Sequence, residues 1–144
     1  MALPQADVPI DGATAQRLSE EFNDAFRTFE ASKEVFAPDA FFDLNMPVWR
    51  FQLQGAQAFA SQLAHLHRGG AVWIDILQTV PTVSGFVTEH VQHEDVDRQE
   101  MSARRMWLCQ VREGRIVEVV GYCSGEWDAQ LRARHAVEAP MIRP

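Results

Sequence analysis

The twenty residues from 36 to 55, FAPDAFFDLNMPVWRFQLQG, constrain the fold of this chain more than any other stretch. Pro38 cannot continue a helical ladder, so a preceding helix is predicted to end there. Apolar and polar residues then alternate, stop at Pro47, alternate again and end at Gly55. Because a period of two is typical of a strand with one buried face, the stretch predicts a strand, a bend and a second strand.

The first of these strands carries a carboxylate and an amide two residues apart, Asp43 and Asn45. Side chains two residues apart lie on the same face of a sheet. We therefore take that face as the candidate site and ask what the rest of the chain places over it.

Length, composition and charge favour one compact domain whose partners are small molecules or other subunits. The chain has 144 residues, 47% of them hydrophobic, which is enough for a core. The net charge of −7, with scattered Lys and Arg, argues against nucleic acid or an anionic membrane as partner.

Apolar runs are shorter than the ~20 residues of a membrane span. The N-terminus does not resemble a secretory signal, so the expected location is the cytoplasm.

The two cysteines are not predicted to form a disulfide. If Glu113-Gly114 forms a two-residue hairpin turn, Cys109 faces position 118 and Cys123 faces position 104. The sequence has no C-x-x-C pair, and its five histidines lack an obvious metal-ligand spacing. Neither a metal site nor a bound cofactor is expected.

Hydrophobic periodicity predicts the remaining elements. A first helix begins at Asp11 or Thr14, and a short second helix spans residues 31–37. Gly55 opens a third helix, which Gly69-Gly70 ends. Four further strands are predicted as an antiparallel meander, over residues 72–80, 82–93, 100–112 and 115–124.

These elements predict an α+β domain in which a curved sheet wraps three helices. The sheet has six mostly antiparallel strands, the first over residues 40–46. Short helices fill the concave face only in part, so the remaining volume is predicted to be a pocket. One domain over residues 1–144 is expected, with residues 1–10 and 129–144 as peripheral arms.

The assumed turns decide which residues face this pocket. The Glu113-Gly114 turn places Arg104 and Met106 on one face with Gly121. If residue 93 pairs with residue 101, His90 lies opposite Arg104, and Gln92 shares the face of His90. One bulge would invert this register.

The opposite face of the sheet is predicted to be apolar. It carries Trp107, Val120 and Tyr122, and an apolar outer face is typical of an interface. A homodimer through the sheets is therefore expected, with the alternative that the C-terminal tail covers this surface. Trp49 and Trp127 are predicted to line the pocket mouth, and plain core packing is their alternative.

The order of elements resembles a known family. Two helices, two strands, a helix and a long meander, with Phe-Ala-Pro-Asp-Ala leading into the first strand, resemble the cone-shaped fold of nuclear transport factor two and ketosteroid isomerase. Three local segments are similar to limonene epoxide hydrolases and SnoaL-like polyketide cyclases of that superfamily: Asn45-Met46-Pro47 with Gly55, Val87-Thr88-Glu89-His90, and Gly114-Arg115-Ile116 with Gly121-Tyr122. The resemblance implies the same fold over nearly the whole chain.

The residues that carry epoxide hydrolysis in that family are mostly absent. Those enzymes have Tyr and Asn two apart in strand one, Arg and Asp two apart in strand four, and Asp before an aromatic residue in the last strand. The corresponding residues of this chain are Asp43, Asn45, His90, Gln92 and Gly121. Because the Asp-Arg-Asp arrangement is missing, an epoxide hydrolase is not predicted. The resemblance implies that the first four of these side chains point into the pocket.

A carboxylate and an imidazole across an apolar pocket can act as an acid–base pair. We therefore predict Asp43 and His90 as the catalytic residues. The predicted substrate-binding residues are Asn45, Gln92, Arg104, Met106, Gly121 and Trp49. The alternative for Asp43 is an ion pair with Arg50 or Arg104, and for His90 an ordinary hydrogen bond of a sheet histidine.

The predicted function is a cofactor-independent acid–base enzyme of the isomerase, lyase or cyclase type. Its substrate is expected to be a small hydrophobic molecule, either carbonyl-containing or polycyclic. The alternative is a non-catalytic member of the same fold that binds a small ligand or another protein.

Overall fold

A computed structural model describes residues 9–143 as three helices and one six-stranded sheet. The elements are α1 (Gly12–Thr28), β1 (Phe36–Met46), β2 (Trp49–Gln54), α2 (Ala56–Leu66), β3 (Val72–Pro81), β4 (Gly85–Val96), β5 (Gln99–Arg112), β6 (Arg115–Trp127) and α3 (Ala129–Glu138). The strand order is β2-β1-β6-β5-β4-β3, in which β1 runs parallel to β6 and the other neighbours are antiparallel. The predicted α+β class and curved, mostly antiparallel sheet are confirmed.

The core lies between α1, α2 and the concave face of the sheet. Asp11 caps α1, since its Oδ1 accepts a hydrogen bond from the Thr14 amide at 2.7 Å. The predicted apolar stripe is buried, and Phe22 and Phe26 pack their rings 5.5 and 5.2 Å from the Trp107 ring. α1 thereby covers β3 and β4, while α2 covers β1 and β2.

The short helix predicted over residues 31–37 is not formed. A turn occupies this position, in which the Phe36 amide donates to the Ser32 carbonyl at 2.9 Å, and β1 begins at Phe36. Pro38 is tolerated inside the strand because the pairing of β1 with β6 is irregular between Phe36 and Phe41.

The third helix is instead α3, in the predicted C-terminal arm. Asp128 caps it by accepting a hydrogen bond from the Leu131 amide at 2.7 Å. Of the predicted N-terminal arm, residues 1–8 lie outside the described residues.

α2 begins after Gly55, as predicted, but ends before the predicted glycine pair. Gly55 adopts a φ of 100°, which is accessible to glycine at little cost. The helix ends at Leu66 because His67 is already extended, with φ −69° and ψ 131°. The chain between Leu66 and Gly69 therefore runs along the open end of the sheet.

The register on both sides of β5 differs from the predicted one by a single residue. Asp97 and Arg98 form the β4–β5 turn, both with positive φ, and this turn places His90 opposite Arg105. The predicted Glu113-Gly114 turn joins β5 to β6, but a bulge shifts the pairs beyond it.

The bulge follows from comparing successive pairs. Val111 lies opposite Ile116, whereas Gln110 lies opposite Glu118, so residue 117 is extra. Since a slip of one residue exchanges the two faces of a strand, the concave face of β5 carries Arg105 and not Arg104.

Both cysteines are free thiols, as predicted. Cys109 lies opposite Val119 and Cys123 opposite Arg105, so the two thiols belong to different pairs. Burial raises the pKa of the Cys109 thiol well above its usual value, which keeps it protonated.

None of the helices among residues 9–143 is long and apolar enough to cross a membrane. The cytoplasmic location stays a prediction.

Candidate functional site

A pocket opens on the concave side of the sheet, between α2 and strands β4, β5 and β6. Its cavity measures about 70 Å³, counted as the space open to the centres of water-sized spheres. The apolar wall consists of Phe26, Phe29, Leu44, Met46, Phe51, Phe59, Leu63, Leu66 and Trp107. The polar wall consists of Gln62, His67, Gln92, Glu94, Arg105 and Glu126. Apolar walls with a few convergent polar groups are typical of small-molecule sites.

The pocket widens outward into a mouth beside Pro47 and Cys123. Trp49 is exposed and lines this mouth, as predicted. Trp127 lies elsewhere, with its ring 4.8 Å from the ring of His135 on α3.

Glu94 places a buried carboxylate in the pocket wall, because β4 brings its side chain to the concave face. The side chain is 8% exposed. Its Oε1 accepts a hydrogen bond from the Arg68 amide at 2.9 Å and lies 3.3 Å from Nδ1 of His67. That Nδ1 forms no hydrogen bond with the described residues, so it lies beside Glu94 without hydrogen bonding to it. The His67 ring packs 4.6 Å from the ring of Phe29.

Arg105 places a cation in the same pocket, on the neighbouring strand β5. Its Nη1 donates a hydrogen bond to Oε1 of Gln92, and its guanidinium carbon lies 6.0 Å from the centre of the Phe26 ring. Arg68 instead forms an ion pair with Glu126. The carboxylates of Glu94 and Glu126 therefore both have a partner in Arg68, after α2, whereas the partner of Arg105 is the neutral amide of Gln92.

His90 lies below the pocket and is fully buried. Its Nδ1 is 2.6 Å from Oδ1 of Asn23, whose Nδ2 donates to the Ser19 carbonyl at 2.7 Å. Since Asn23 presents its oxygen to the ring, Nδ1 of His90 carries the proton and donates. Burial, and then the positive charge of Arg105, lower the pKa of His90 from 6.5 to about 3. His90 is thus a neutral link between α1 and β4.

The predicted catalytic pair of Asp43 and His90 is not formed, and this prediction is wrong. Phe42 and Leu44 occupy the core face of β1, so alternation places Asp43 on the outer face. Arg50 Nε donates to Asp43 Oδ1 at 2.8 Å, and this hydrogen bond holds the pKa of Asp43 below its usual range. The alternative interpretation of both residues describes the structure: an ion pair for Asp43 and a hydrogen-bonded sheet histidine for His90.

A hydrogen bond between β1 and β6 joins two of the predicted substrate-binding residues. Asn45 lies on the outer face and donates from Nδ2 to the Gly121 carbonyl at 3.2 Å. Gly121 lies under Trp107, and a Cβ there would approach Cζ3 of that ring to 2.2 Å. The placement of Asn45 was therefore wrong, whereas Gly121 lies on the concave face opposite Leu44 and Trp107, where the Trp107 ring covers it.

Two more predicted binding residues, Arg104 and Met106, were misplaced because the register of β5 differs by one residue from the predicted one. Arg104 lies on the outer face, where its Nε donates to Glu89 Oε1 at 2.8 Å, and Met106 is exposed beside it. Gln92 and Trp49 are the predicted binding residues that the structure places at the pocket.

Sequence reasoning missed Glu94, His67, Arg105 and Glu126. Glu94 follows Gln92 at a spacing of two, so the same alternation that placed Gln92 in the pocket could have identified it. The position of Arg105 in the pocket depends on the bulge in β6, and that of His67 depends on the early end of α2. The local sequence pattern indicates neither feature.

The comparisons with known proteins establish the fold. No protein-family model matches the sequence, and no curated protein matches it. An LEH-like epoxide hydrolase from M. tuberculosis is similar with a TM-score of 0.64 at 19% identity, covering 90% of this chain and 98% of its own.

Two further solved structures agree. An NTF2-like protein of unknown function from Mesorhizobium loti gives a TM-score of 0.62 at 23% identity, covering 81% of this chain and 97% of its own. A putative SnoaL-like polyketide cyclase from Jannaschia gives 0.58 at 11% identity, covering 98% and 99%. Identities this low show a shared fold and leave the activity open. The chain therefore has the fold of the nuclear-transport-factor-2-like and SnoaL-like superfamily that its sequence resembles.

Proposed function

We propose that this chain is an enzyme that binds a small, mostly apolar carbonyl compound in the cone and moves a proton on it. The observation that carries the proposal is the buried carboxylate of Glu94 beside His67, in a pocket whose other walls are largely aromatic and aliphatic. A titratable group in an apolar cleft is a candidate general base. The chemistry needs side chains alone.

In this proposal Glu94 takes a proton from the carbon next to the substrate carbonyl. Its Oε1 is held by the Arg68 amide, whereas no described residue donates a hydrogen bond to Oε2, which is therefore the reacting atom. The electron pair of the broken C–H bond moves to the carbonyl oxygen as an enolate. Arg105 and the amide of Gln92 donate to that oxygen, and proton return at another carbon gives an isomer.

Deuterium exchange tests this function. A panel of small cyclic ketones is incubated with the protein in D₂O, and loss of the hydrogens next to the carbonyl is followed by NMR. Glu94→Gln is expected to lower the exchange rate by about 100-fold or more. Asp43→Asn, on the outer face, serves as the control and is expected to keep it. Equal exchange rates in wild type and Glu94→Gln contradict the proposal.

The second candidate is a protein of the same fold that binds a small ligand without turnover. It is favoured by the position of His90, whose Nδ1 is fixed by Asn23 and whose ring stays neutral. A ketone that binds to saturation, with no deuterium exchange catalysed next to its carbonyl, would support the binding protein over the enzyme.

A second copy of the chain is proposed as the partner of the outer sheet face. Met106, Leu108 and Tyr122 lie exposed at the centre of this face. Two ion pairs, Arg104–Glu89 and Arg50–Asp43, place charges of both signs at its border. A surface with an apolar centre and both charges at its margin is complementary to itself, whereas nucleic acid or an anionic membrane needs a basic surface.

A further inference from the structure

The geometry points to a 2-oxo acid with an apolar side chain as the substrate class of the pocket, with Arg105 binding the carboxylate. This inference rests on the proposed function and names the chemistry of its ligand.

The first observation is the pairing of the arginines. Arg50, Arg68 and Arg104 each have a carboxylate partner, and those partners are Asp43, Glu126 and Glu89. Among residues 9–143, no carboxylate lies within ion-pair distance of Arg105, although Glu94 and Glu126 line the same pocket. Arg105 is partly buried and donates to a neutral amide, so a ligand that supplies an anion would be favoured here.

The second observation is that Gln92 and Trp107 add hydrogen-bond donors beside Arg105, in a pocket that the carboxylates of Glu94 and Glu126 also line. A guanidinium has five N–H groups, and one nitrogen of Arg105 is used by Gln92. Because Gln92 presents its oxygen to Arg105, its amide nitrogen is free to donate. Trp107 Nε1 is buried in the pocket wall and has no hydrogen-bond partner among the described residues. A carboxylate, which only accepts hydrogen bonds, fits such a set.

The shape of the guanidinium determines which two oxygens of such a ligand can bind it. The planar guanidinium fork binds two oxygens that lie side by side. In a 2-oxo acid the keto oxygen and one carboxylate oxygen can lie side by side, so both reach the fork of Arg105. Glu94 then takes a proton from C3, the C–H pair forms the C2–C3 double bond, and the keto oxygen becomes the enolate oxygen. Proton return to that oxygen or to C3 completes a keto–enol conversion without a further reactant.

The apolar wall determines the rest of the molecule. Four phenylalanines, Phe26, Phe29, Phe51 and Phe59, line the cavity, and a flat or branched apolar group beyond C3 would pack among them. Phenylpyruvate has all three features and is the probe of choice.

The test compares charged and neutral probes. Binding of phenylpyruvate and of 4-phenyl-2-butanone, which lacks the carboxylate, is measured by tryptophan fluorescence and NMR line broadening. Arg105→Gln is expected to weaken phenylpyruvate binding by about 10- to 100-fold and to change binding of the neutral ketone by less than about 3-fold. Arg105→Lys keeps the charge but loses the planar guanidinium, so its affinity for phenylpyruvate is expected to lie between those of wild type and Arg105→Gln.

Arg104→Gln is the matched control, since the neighbouring arginine faces outward, and it is expected to bind both probes like wild type. Circular dichroism of each variant shows whether the fold is retained. Glu94→Gln is expected to bind phenylpyruvate and to lose deuterium exchange at C3. If the ketone binds as tightly as phenylpyruvate and Arg105→Gln has no effect, the 2-oxo acid inference is overturned while the proposed function stands. If neither probe binds nor exchanges, both are overturned.

Discussion

His90 makes the stability of this fold depend on pH. Its pKa is about 3 in the folded chain, against 6.5 for the free side chain. Between about pH 3 and pH 6.5 the unfolded state binds more protons at this residue than the folded state does. The stability that neutral His90 contributes is therefore fully present above pH 6.5 and is lost as the pH falls toward 3. The free energy of unfolding is expected to drop by up to roughly 1.4 kcal/mol per pH unit in this window.

Urea unfolding at about pH 7 and about pH 4 measures this effect. His90→Gln is expected to reduce the loss between the two pH values. At neutral pH the same variant is expected to cost about 1–3 kcal/mol, because Asn23 loses its partner in a buried network. His65→Gln, on the exposed side of α2, is the control and should follow wild type. Parallel pH dependence of wild type and His90→Gln would refute the assignment.

Single residues also show where two lines of sequence reasoning conflict. The family resemblance implied that Asp43 and Asn45 face the pocket, whereas the apolar residues Phe42 and Leu44 required the same face for the core. Burial of apolar surface decided the orientation. For β4 both arguments agreed, and Gln92 and His90 were placed on the concave face correctly.

Within the elements, β5 shows why register is harder to predict than strand identity. The strand and its two turns were predicted within a few residues, and the Glu113-Gly114 turn was correct. The bulge at residue 117 interrupts a stretch that looks like regular alternation. It allows the pair of β5 and β6 to curve, and the curvature of a sheet is set by the whole layer and not by the local sequence.

The contact between β5 and β6 depends on a glycine. Gly121→Ala would place a Cβ 2.2 Å from Trp107 Cζ3, so the buried ring must move. We expect a loss of about 1–3 kcal/mol in the free energy of unfolding, measured by urea titration, and a changed near-ultraviolet dichroism of the tryptophans.

Gly12→Ala is the matched control, because a Cβ there has no atom within 4 Å. In a Trp107→Leu background the cost of Gly121→Ala is expected to shrink, since the clashing ring is gone. An unchanged cost in that background would locate the strain elsewhere.

At the level of the whole molecule, element order and alternation were sufficient to predict the fold. The pocket itself was predicted from the curvature of the sheet, but of its polar wall only Gln92 was predicted. Glu94, Arg105 and His67 meet there through the end of α2, the β4–β5 turn and the bulge together. Such a convergence depends on the packed tertiary structure.

The outer face provides the prediction for the assembly. Met106, Leu108 and Tyr122 are 44%, 38% and 59% exposed, and burying them against a second copy is favourable. Wild type is expected to sediment as a dimer at micromolar concentration, and Tyr122→Glu as a monomer. Val83→Glu, an equally drastic change in the β3–β4 turn, is expected to leave the dimer intact. A monomeric wild type would disprove the assembly.

The parallel pair of β1 and β6 has a consequence for the order of folding. Residues 41–45 pair with residues 118–122, so the centre of the sheet joins segments nearly eighty positions apart in the chain. During synthesis the hairpin of β1 and β2 appears first, and its inner edge has no neighbour until the last strand has left the ribosome. Contacts of such long separation are slow to form. The nascent chain thus carries an open, phenylalanine-rich strand edge through most of its translation, which makes it a candidate client of ribosome-associated chaperones.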